Sequence, residues 1–524
     1  VGGVVMKFLD LDAVKKLKDL AQNPPNLTDE TFFNAERISS CIAEGASLKL
    51  LYAQERVSDE ILEALFELSV ETECLEKMKK MQSGEIVNEI LGAESEKREA
   101  LHTAMRDFFS PNNEKKALEA KNLAKLELDK LKAFCEKKAH LFEEIVMIGI
   151  GGSNLGPEAH YLALKHLKKK NVFFIGNVDP DEAALVLREI SLKKTLVLVV
   201  SKSGSTLETA TNEAFLKRAF EKEGLDPKEH FVAITAKGSP LDDPKKYLES
   251  FYIWDFVGGR YSTTSMVGGV LLSLAFGFPV FYEFLRGASS MDKIALSSDR
   301  KKNLPLLGAL LGVWNRNFLC CETEAIIPYS QALSRFPAHV QQLTMESNGK
   351  SIDKNGHPVN FLTSPIIWGE PGTNAQHSFY QLIHQGTDVV PVEMIGFVKS
   401  QCEEDIAFLA TTSQQKLLAN LFAQAVGLAI GQKSENPNRV FRGNRVSRIL
   451  LGEQLNPYTL GALLSYYEHK TVFQGFIWNI NSFDQEGVQL GKKLASEMIE
   501  GFQGKKSSPL VEAYLKQVSS MSEK

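Results

Sequence analysis

Cysteine is scarce: six residues (Cys41, Cys74, Cys135, Cys320, Cys321, Cys402) in a chain of 524, with no C-x-x-C spacing. So thin a scatter excludes a disulfide framework and points to reduced thiols and a cytoplasmic location. Charge of one sign is lacking as well. A formal net charge of -5 comes with no basic stripe or arm to follow a phosphate backbone, so nucleic acid is not an expected partner. Long uncharged runs are missing except at residues 261–282, a length that could cross a bilayer. There Gly268, Gly269, Gly277, Pro279 and the cluster Ser262, Thr263, Thr264, Ser265 break the apolar character, and no second run exists. A buried helix is expected, and no membrane contact. Residues 1–5, ahead of Met6, are too short for the apolar core of a signal sequence and read as an extension or cloning leader. Internal repeats and low-complexity tracts are also absent.

What is present is the material of a large globular enzyme. The length exceeds one typical domain and allows a fully buried site. Apolar residues at 44% and charged residues at 24% exclude a disordered chain. From residue 12 to about 100 the apolar spacing is helical, without a strand-like run. Short apolar runs then alternate with helical stretches, at 145–150, 172–178, 196–200, 231–235 and 251–256, the pattern of a parallel sheet covered by helices. A polar stretch at 286–303 predicts a linker, after which the rhythm resumes at 325–328, 366–368 and 389–392. The chain closes in helical segments after Asp484 and a polar, frayed tail from Ser519. An α/β fold follows, with four parts: an N-terminal helical layer (1–100), a first sheet domain (101–290), a second (300–495) and a C-terminal helical arm (496–524).

Two loops of the first sheet domain suit an anion. The run from 145 enters Gly149, Gly151, Gly152, Ser153, Asn154 before a helix near Pro157, where backbone N–H groups can approach a ligand at the positive helix end. A dinucleotide fingerprint is the alternative; Asn154 stands in its third glycine position, and Asp179 lies at a distance fit for a ribose. The run 196–200 enters Ser201, Lys202, Ser203, Gly204, Ser205, Thr206: four hydroxyls, one glycine and one ammonium. That set suits a phosphate monoester, which carries roughly -1.5 to -2 charge on three acceptor oxygens. The same residues could also be a plain helix-capping turn.

The chemistry residues lie further on. Gly258 and Gly259 precede Arg260, so backbone can crowd a ligand while the guanidinium meets a developing oxyanion. Gln342 and Glu346, four apart in a helical stretch that ends at Ser347-Asn348-Gly349, share a face. His377 is placed at a helix start, with His384 two turns along; that spacing and the want of a third ligand argue against a metal.

Five blocks in this order resemble the glucose-6-phosphate isomerase family, which has two sugar-isomerase (SIS) domains. They are G-I-G-G-S-N-L-G-P, S-K-S-G-S-T-L-E-T, G-G-R-Y-S, M-E-S-N-G-K with G-E-P-G-T-N-A-Q-H, and S-F-D-Q-E-G-V-Q-L-G-K, over residues 145 to 495. The resemblance implies reversible isomerisation of glucose 6-phosphate to fructose 6-phosphate through a cis-enediol, a step of glycolysis and gluconeogenesis. It implies that Ser153, Ser201, Lys202, Ser203 and Thr206 hold the phosphate with help from Gln485, and that Gly259 and Gln342 line the sugar. Glu346 is the implied base, Arg260 the cation that stabilises the oxyanion, and His377 and Lys492 the groups that open the ring. A homodimer with His377 supplied by the partner is implied, and no metal or organic cofactor. Two departures stand out: Gln489 replaces the family's glutamate before L-G-K, and the second block reads S-K-S-G-S-T rather than S-K-T-F-T-T. A dehydrogenase using Gly149, Gly151 and Asp179, and a non-catalytic sugar-phosphate sensor, are the competing functions.

Overall fold

The computed structural model describes residues 7–109 and 112–522, in two compact units, Val1–Ser482 and Phe483–Lys524. The expected leader at 1–5 lies outside the described residues. In the first unit an N-terminal hairpin is formed by β1 (Ile42–Gly45) and β2 (Leu48–Leu51). Its presence corrects the expectation of an N-terminal segment without strands. Ala46 and Ser47 make the turn in the left-handed region, at φ 49° and 62°, without the glycine or asparagine that would have marked it in sequence.

The first half of the unit holds β3 (Glu144–Ile148), β4 (Asn171–Ile175), β5 (Thr195–Val200), β6 (Phe231–Thr235) and β7 (Glu249–Tyr252). They form a parallel sheet in the order β4-β3-β5-β6-β7. Every residue of β5 and β6 is buried, the continuous apolar run typical of a strand covered on both faces. Leu216 and Phe220 of the helix Leu207–Lys222 close one face over Val197, Val199 and Phe231.

The second sheet contains β8 (Thr323–Pro328), β9 (Ile366–Trp368) and β10 (Val392–Lys399). The short hairpin of β11 (Ala407–Phe408) and β12 (Thr411–Thr412) stands apart, and β13 (Ser447–Gln454) completes the sheet in the order β1-β2-β13-β10-β8-β9. The strand expected at 389–392 begins where that expectation ends, at Val392. β13 escaped the sequence pattern because it opens on Ser447 and Arg448, both buried. Arg448 ion-pairs with Glu55, Glu324 and Glu393, and Lys470 also reaches Glu324 and Glu393, so this polar start belongs to a paired, buried cluster.

The linker expected at 286–303 begins later than that: residues up to Ile294 continue the helix Phe278–Ile294, and only 295–303 connect it to the helix Leu304–Val313. Two of the helix's polar side chains, Ser289 and Asp292, are buried. Asp292 pairs with the buried Arg106, and Gly287 lies where a Cβ would stand 1.8 Å from the Tyr458 carbonyl oxygen. Gly461 of the helix Pro457–Ile477 meets the Phe284 carbonyl in the same way, so two helices cross at backbone contact. Residues 261–282 divide between the fully buried helix Met266–Phe276 and the start of Phe278–Ile294, broken at Gly277. No helix of the described residues is long and apolar enough to cross a membrane.

Among the described residues the second unit holds a short helical turn, Glu486–Val488, and two α-helices, Gln489–Phe502 and Pro509–Ser522, with Leu515 and Val511 packed at Gly501. Residues 519–522, expected to be frayed, are helical; 523–524 lie outside the described residues.

Candidate active site

In a parallel sheet every strand points the same way, so loops that leave the strand ends gather on one edge, where open α/β sheets bind ligands. Loop 149–154 follows β3, loop 201–206 follows β5, and 258–261 follows β7. The first and third are in backbone contact. A Cβ on Gly152 would lie 2.3 Å from the Gly259 carbonyl carbon and 2.8 Å from the Arg260 nitrogen, so only glycine fits. Gly151, at φ 58°, turns the chain before Ser153.

The loop 201–206 is not an ordinary capping turn. Thr206 occupies the N-cap of Leu207–Lys222 but makes no side-chain cap bond; its hydroxyl is instead 2.9 Å from that of Ser201. Gly204, at φ 67°, bends the loop, and Ser203 and Ser205 expose hydroxyls 3.1 Å apart. Lys202 donates to the Val257 carbonyl at 3.2 Å, which ties this loop to the one that carries Arg260. Burial, reinforced by the nearby Arg98, brings the Lys202 ammonium down to about 8. Asp179, the residue placed for a ribose, serves as a helix cap: its carboxylate accepts from the Asp181 N–H at 3.0 Å at the start of the helix Pro180–Glu189.

The second half contributes one helix, Phe336–Asn348, which starts with Pro337 in its first turn and ends at Gly349. Phe336, Val340 and Leu343 are buried, while Gln342 and Glu346 are half-buried, one turn apart. Gln342 Nε2 donates to Glu346 Oε2 at 3.0 Å. Arg260, only 2% exposed, brings Nη1 to 3.6 Å from the same carboxylate oxygen. Its Nε donates to Ser347 Oγ at 2.6 Å and its Nη2 to the Ser482 carbonyl at 2.7 Å. Tyr261, whose hydroxyl is 2.8 Å from Ser347 Oγ, is pushed up to about 12 by burial and stays a neutral phenol.

Thus the structure gathers Arg260, Gln342 and Glu346 directly, sets Ser153 and Gly259 beside them through the Gly151–Gln342 and Gly152–Gly259 approaches, and connects Ser201, Lys202, Ser203 and Thr206 through Lys202. A buried cation facing a half-buried carboxylate suits proton abstraction next to a carbonyl, because the base and the charge that meets the resulting oxyanion are already in place.

His377 is placed otherwise than expected. It closes the short helix Gly372–Gln376 instead of starting one, because Pro371 sets the start earlier, and residues 377–379 separate it from Tyr380–Gln385, which carries His384. His377 is exposed, and no hydrogen bond, ion pair or ring contact among the described residues joins it to the cluster. Gln485 and Lys492 belong to the second unit: Gln485 precedes the short helical turn Glu486–Val488, and Lys492 lies on Gln489–Phe502. Gln489, the departure from the family pattern, opens that helix. Among the described residues no group of three His, Cys, Asp or Glu side chains could hold a metal ion.

No pattern in the sequence marks Ser347, Tyr261 and Ser482 as partners of Arg260. Tyr261 and Ser347 were visible as neighbours of Arg260 and Glu346, whereas Ser482 contributes a carbonyl, which has no residue signature.

Residues 51–512 match the family model described as phosphoglucose isomerase. A glucose-6-phosphate isomerase of Protochlamydia amoebophila is 57% identical, over 98% of each chain, and one of Chlamydia pneumoniae is 54% identical over 97% of each. The crystal structure of a glucose-6-phosphate isomerase from Chlamydia trachomatis superposes with a TM-score of 0.96 at 48% identity, covering 98% of this chain and all of that one.

Proposed function

The chain belongs to the phosphoglucose isomerase family and interconverts glucose 6-phosphate and fructose 6-phosphate, and we propose that Glu346 moves the proton in that reaction while Arg260 faces the charge it creates. In the open-chain aldose, Glu346 takes the C2 proton and the electron pair of that bond shifts to the carbonyl oxygen at C1. The product is a cis-enediolate whose negative oxygen meets the guanidinium of Arg260. Return of that proton from Glu346 to C1, with transfer of the C2 hydroxyl proton to the C1 oxygen, yields the ketose, with its carbonyl at C2 and a hydroxyl at C1. The observation that carries this assignment is the 3.6 Å approach of Arg260 to Glu346, with Gln342 donating to the same oxygen.

Ser201, Lys202, Ser203, Thr206 and Ser153 take the phosphate, and Gly259 and Gln342 border the sugar. The hydroxyl-rich loop and its unused capping position support this. His377 and Lys492 open the sugar ring and Gln485 assists at the phosphate; what supports these three is their place in the matching sequence blocks. The protein acts as a homodimer in which His377 serves the partner's site, a role its exposure allows. The phosphate loops lie in the proposed first sheet domain, 101–290, and the base in the proposed second, 300–495.

The test is a coupled assay that follows glucose 6-phosphate formed from fructose 6-phosphate. Glu346→Gln is expected to lower kcat by about 10²- to 10⁴-fold. Near wild-type turnover by the folded variant rules Glu346 out as the base.

A further inference from the structure

The two residues that follow the base in sequence hold the cation it works against. Resting on the assignment of Glu346 and Arg260 above, we infer that Ser347 and Asn348 are positioning residues that fix the Arg260 guanidinium for the enediolate. Ser347 acts directly: its hydroxyl oxygen accepts from Arg260 Nε at 2.6 Å, and Tyr261 holds that hydroxyl from the other side at 2.8 Å. Asn348 acts through a second clamp. Its Oδ1 accepts from the Ser482 hydroxyl at 2.7 Å, and the Ser482 carbonyl in turn accepts from Arg260 Nη2 at 2.7 Å. Asn348 is itself anchored by donating from Nδ2 to the Thr471 carbonyl at 2.8 Å. Gly475 closes this corner, since a Cβ there would stand 1.9 Å from the Ser482 hydroxyl oxygen.

Ser347 and Asn348 are fully buried, and Ser482 is 3% exposed. A planar guanidinium gripped through Nε and Nη2 cannot rotate about its long axis, so Nη1 is kept on the side of Glu346. Three consecutive residues at the end of one helix therefore carry the base, the first clamp on the cation, and the anchor of the second. Any shift of this helix end moves base and cation together, which preserves their spacing. Donors fixed before the reaction stabilise developing charge without reorganising, and small displacements of such groups are costly in rate. Ser347 and Asn348 contribute to the chemical step and not to holding the ground-state sugar phosphate.

The experiment compares Ser347→Ala with wild type in purified full-length protein. Expected is a kcat lowered about 10- to 100-fold with the KM for fructose 6-phosphate within about threefold of wild type. Binding of gluconate 6-phosphate, whose C1 carboxylate carries negative charge where the enediolate's C1 oxygen does, weakens by a similar factor as kcat; binding of uncharged-headed glucitol 6-phosphate does not change. Unchanged kcat, or equal weakening of both analogues, overturns the inference. Should Ser347→Ala fail to fold, Tyr261→Phe removes the hydroxyl that steadies Ser347 and is expected to show the same split at about threefold; no split there overturns it too. Glu346→Gln assayed in parallel separates the two proposals. If that variant keeps turnover, the assignment of the base fails; if it loses turnover while Ser347→Ala shows no split, only the positioning role fails.

Discussion

Arg260 Nη1 stands 3.6 Å from Glu346 Oε2, across the boundary between the first sheet's loops and the helix Phe336–Asn348. The guanidinium reaches this point with two other edges committed to Ser347 and Ser482. A lysine could supply the charge but not the planar fork that makes three directed contacts at once. Arg260→Lys is therefore expected to lower kcat by about 10²- to 10³-fold while leaving the fold intact. Steady-state kinetics with circular dichroism checks this; a loss below about tenfold would show that charge alone suffices.

Glu346 and His377, if contributed to each site by different subunits, can be separated genetically. Glu346→Gln and His377→Ala should each be nearly inactive alone. After unfolding and refolding as an equimolar mixture, half of the dimers are mixed and each mixed dimer regains one intact site, so about a quarter of the wild-type site activity returns. No recovery in a mixture shown to contain mixed dimers places both residues in one chain.

Gly152 has backbone atoms of Gly259 and Arg260 where its side chain would be, at 2.3 Å to 2.8 Å. Gly152→Ala must push apart the loops that bear Ser153 and Arg260. We expect destabilisation of about 1–3 kcal/mol and a large fall in kcat/KM. Gly258→Ala is the control, because its Cβ would meet only Tyr261 Cδ2 at 3.4 Å. Equal activity of the two variants would show that the contact is dispensable.

His160 and His339 are packed against each other with ring centroids 5.3 Å apart, and burial brings them down to about 4 and about 3. Because the folded values lie below the unfolded value of about 6.5, the unfolded chain binds more protons under acid conditions. The stability these neutral rings allow is complete above about pH 6.5 and is lost as pH falls toward about 4, at about 1.4 kcal/mol per pH unit for each ring. Neither ring nitrogen of His339 has a hydrogen-bond partner among the described residues. His339→Leu should thus fold as well as wild type at pH 7 and show a shallower loss of unfolding midpoint between pH 6.5 and 4.5. Parallel pH curves for the two proteins would remove His339 as the cause.

The sequence alone determined the parallel α/β class, the hydroxyl-rich loop at 201–206 and the pairing of Gln342 with Glu346 on one helix face. These are local matters: apolar period, hydroxyl-rich turns at strand ends and four-residue spacing each leave a mark within about twenty residues. The N-terminal hairpin, the polar strand from Ser447 and the internal role of Asp292 left no such mark, because each depends on partners distant in the chain: β13 for the hairpin, Glu55, Glu324 and Glu393 for Arg448, and Arg106 for Asp292. The same holds for the site. Sequence named Arg260 and Glu346 separately, but only the tertiary structure put Arg260 between Ser347 and the Ser482 carbonyl, since a buried charge is tolerated only where groups from several elements converge to satisfy it.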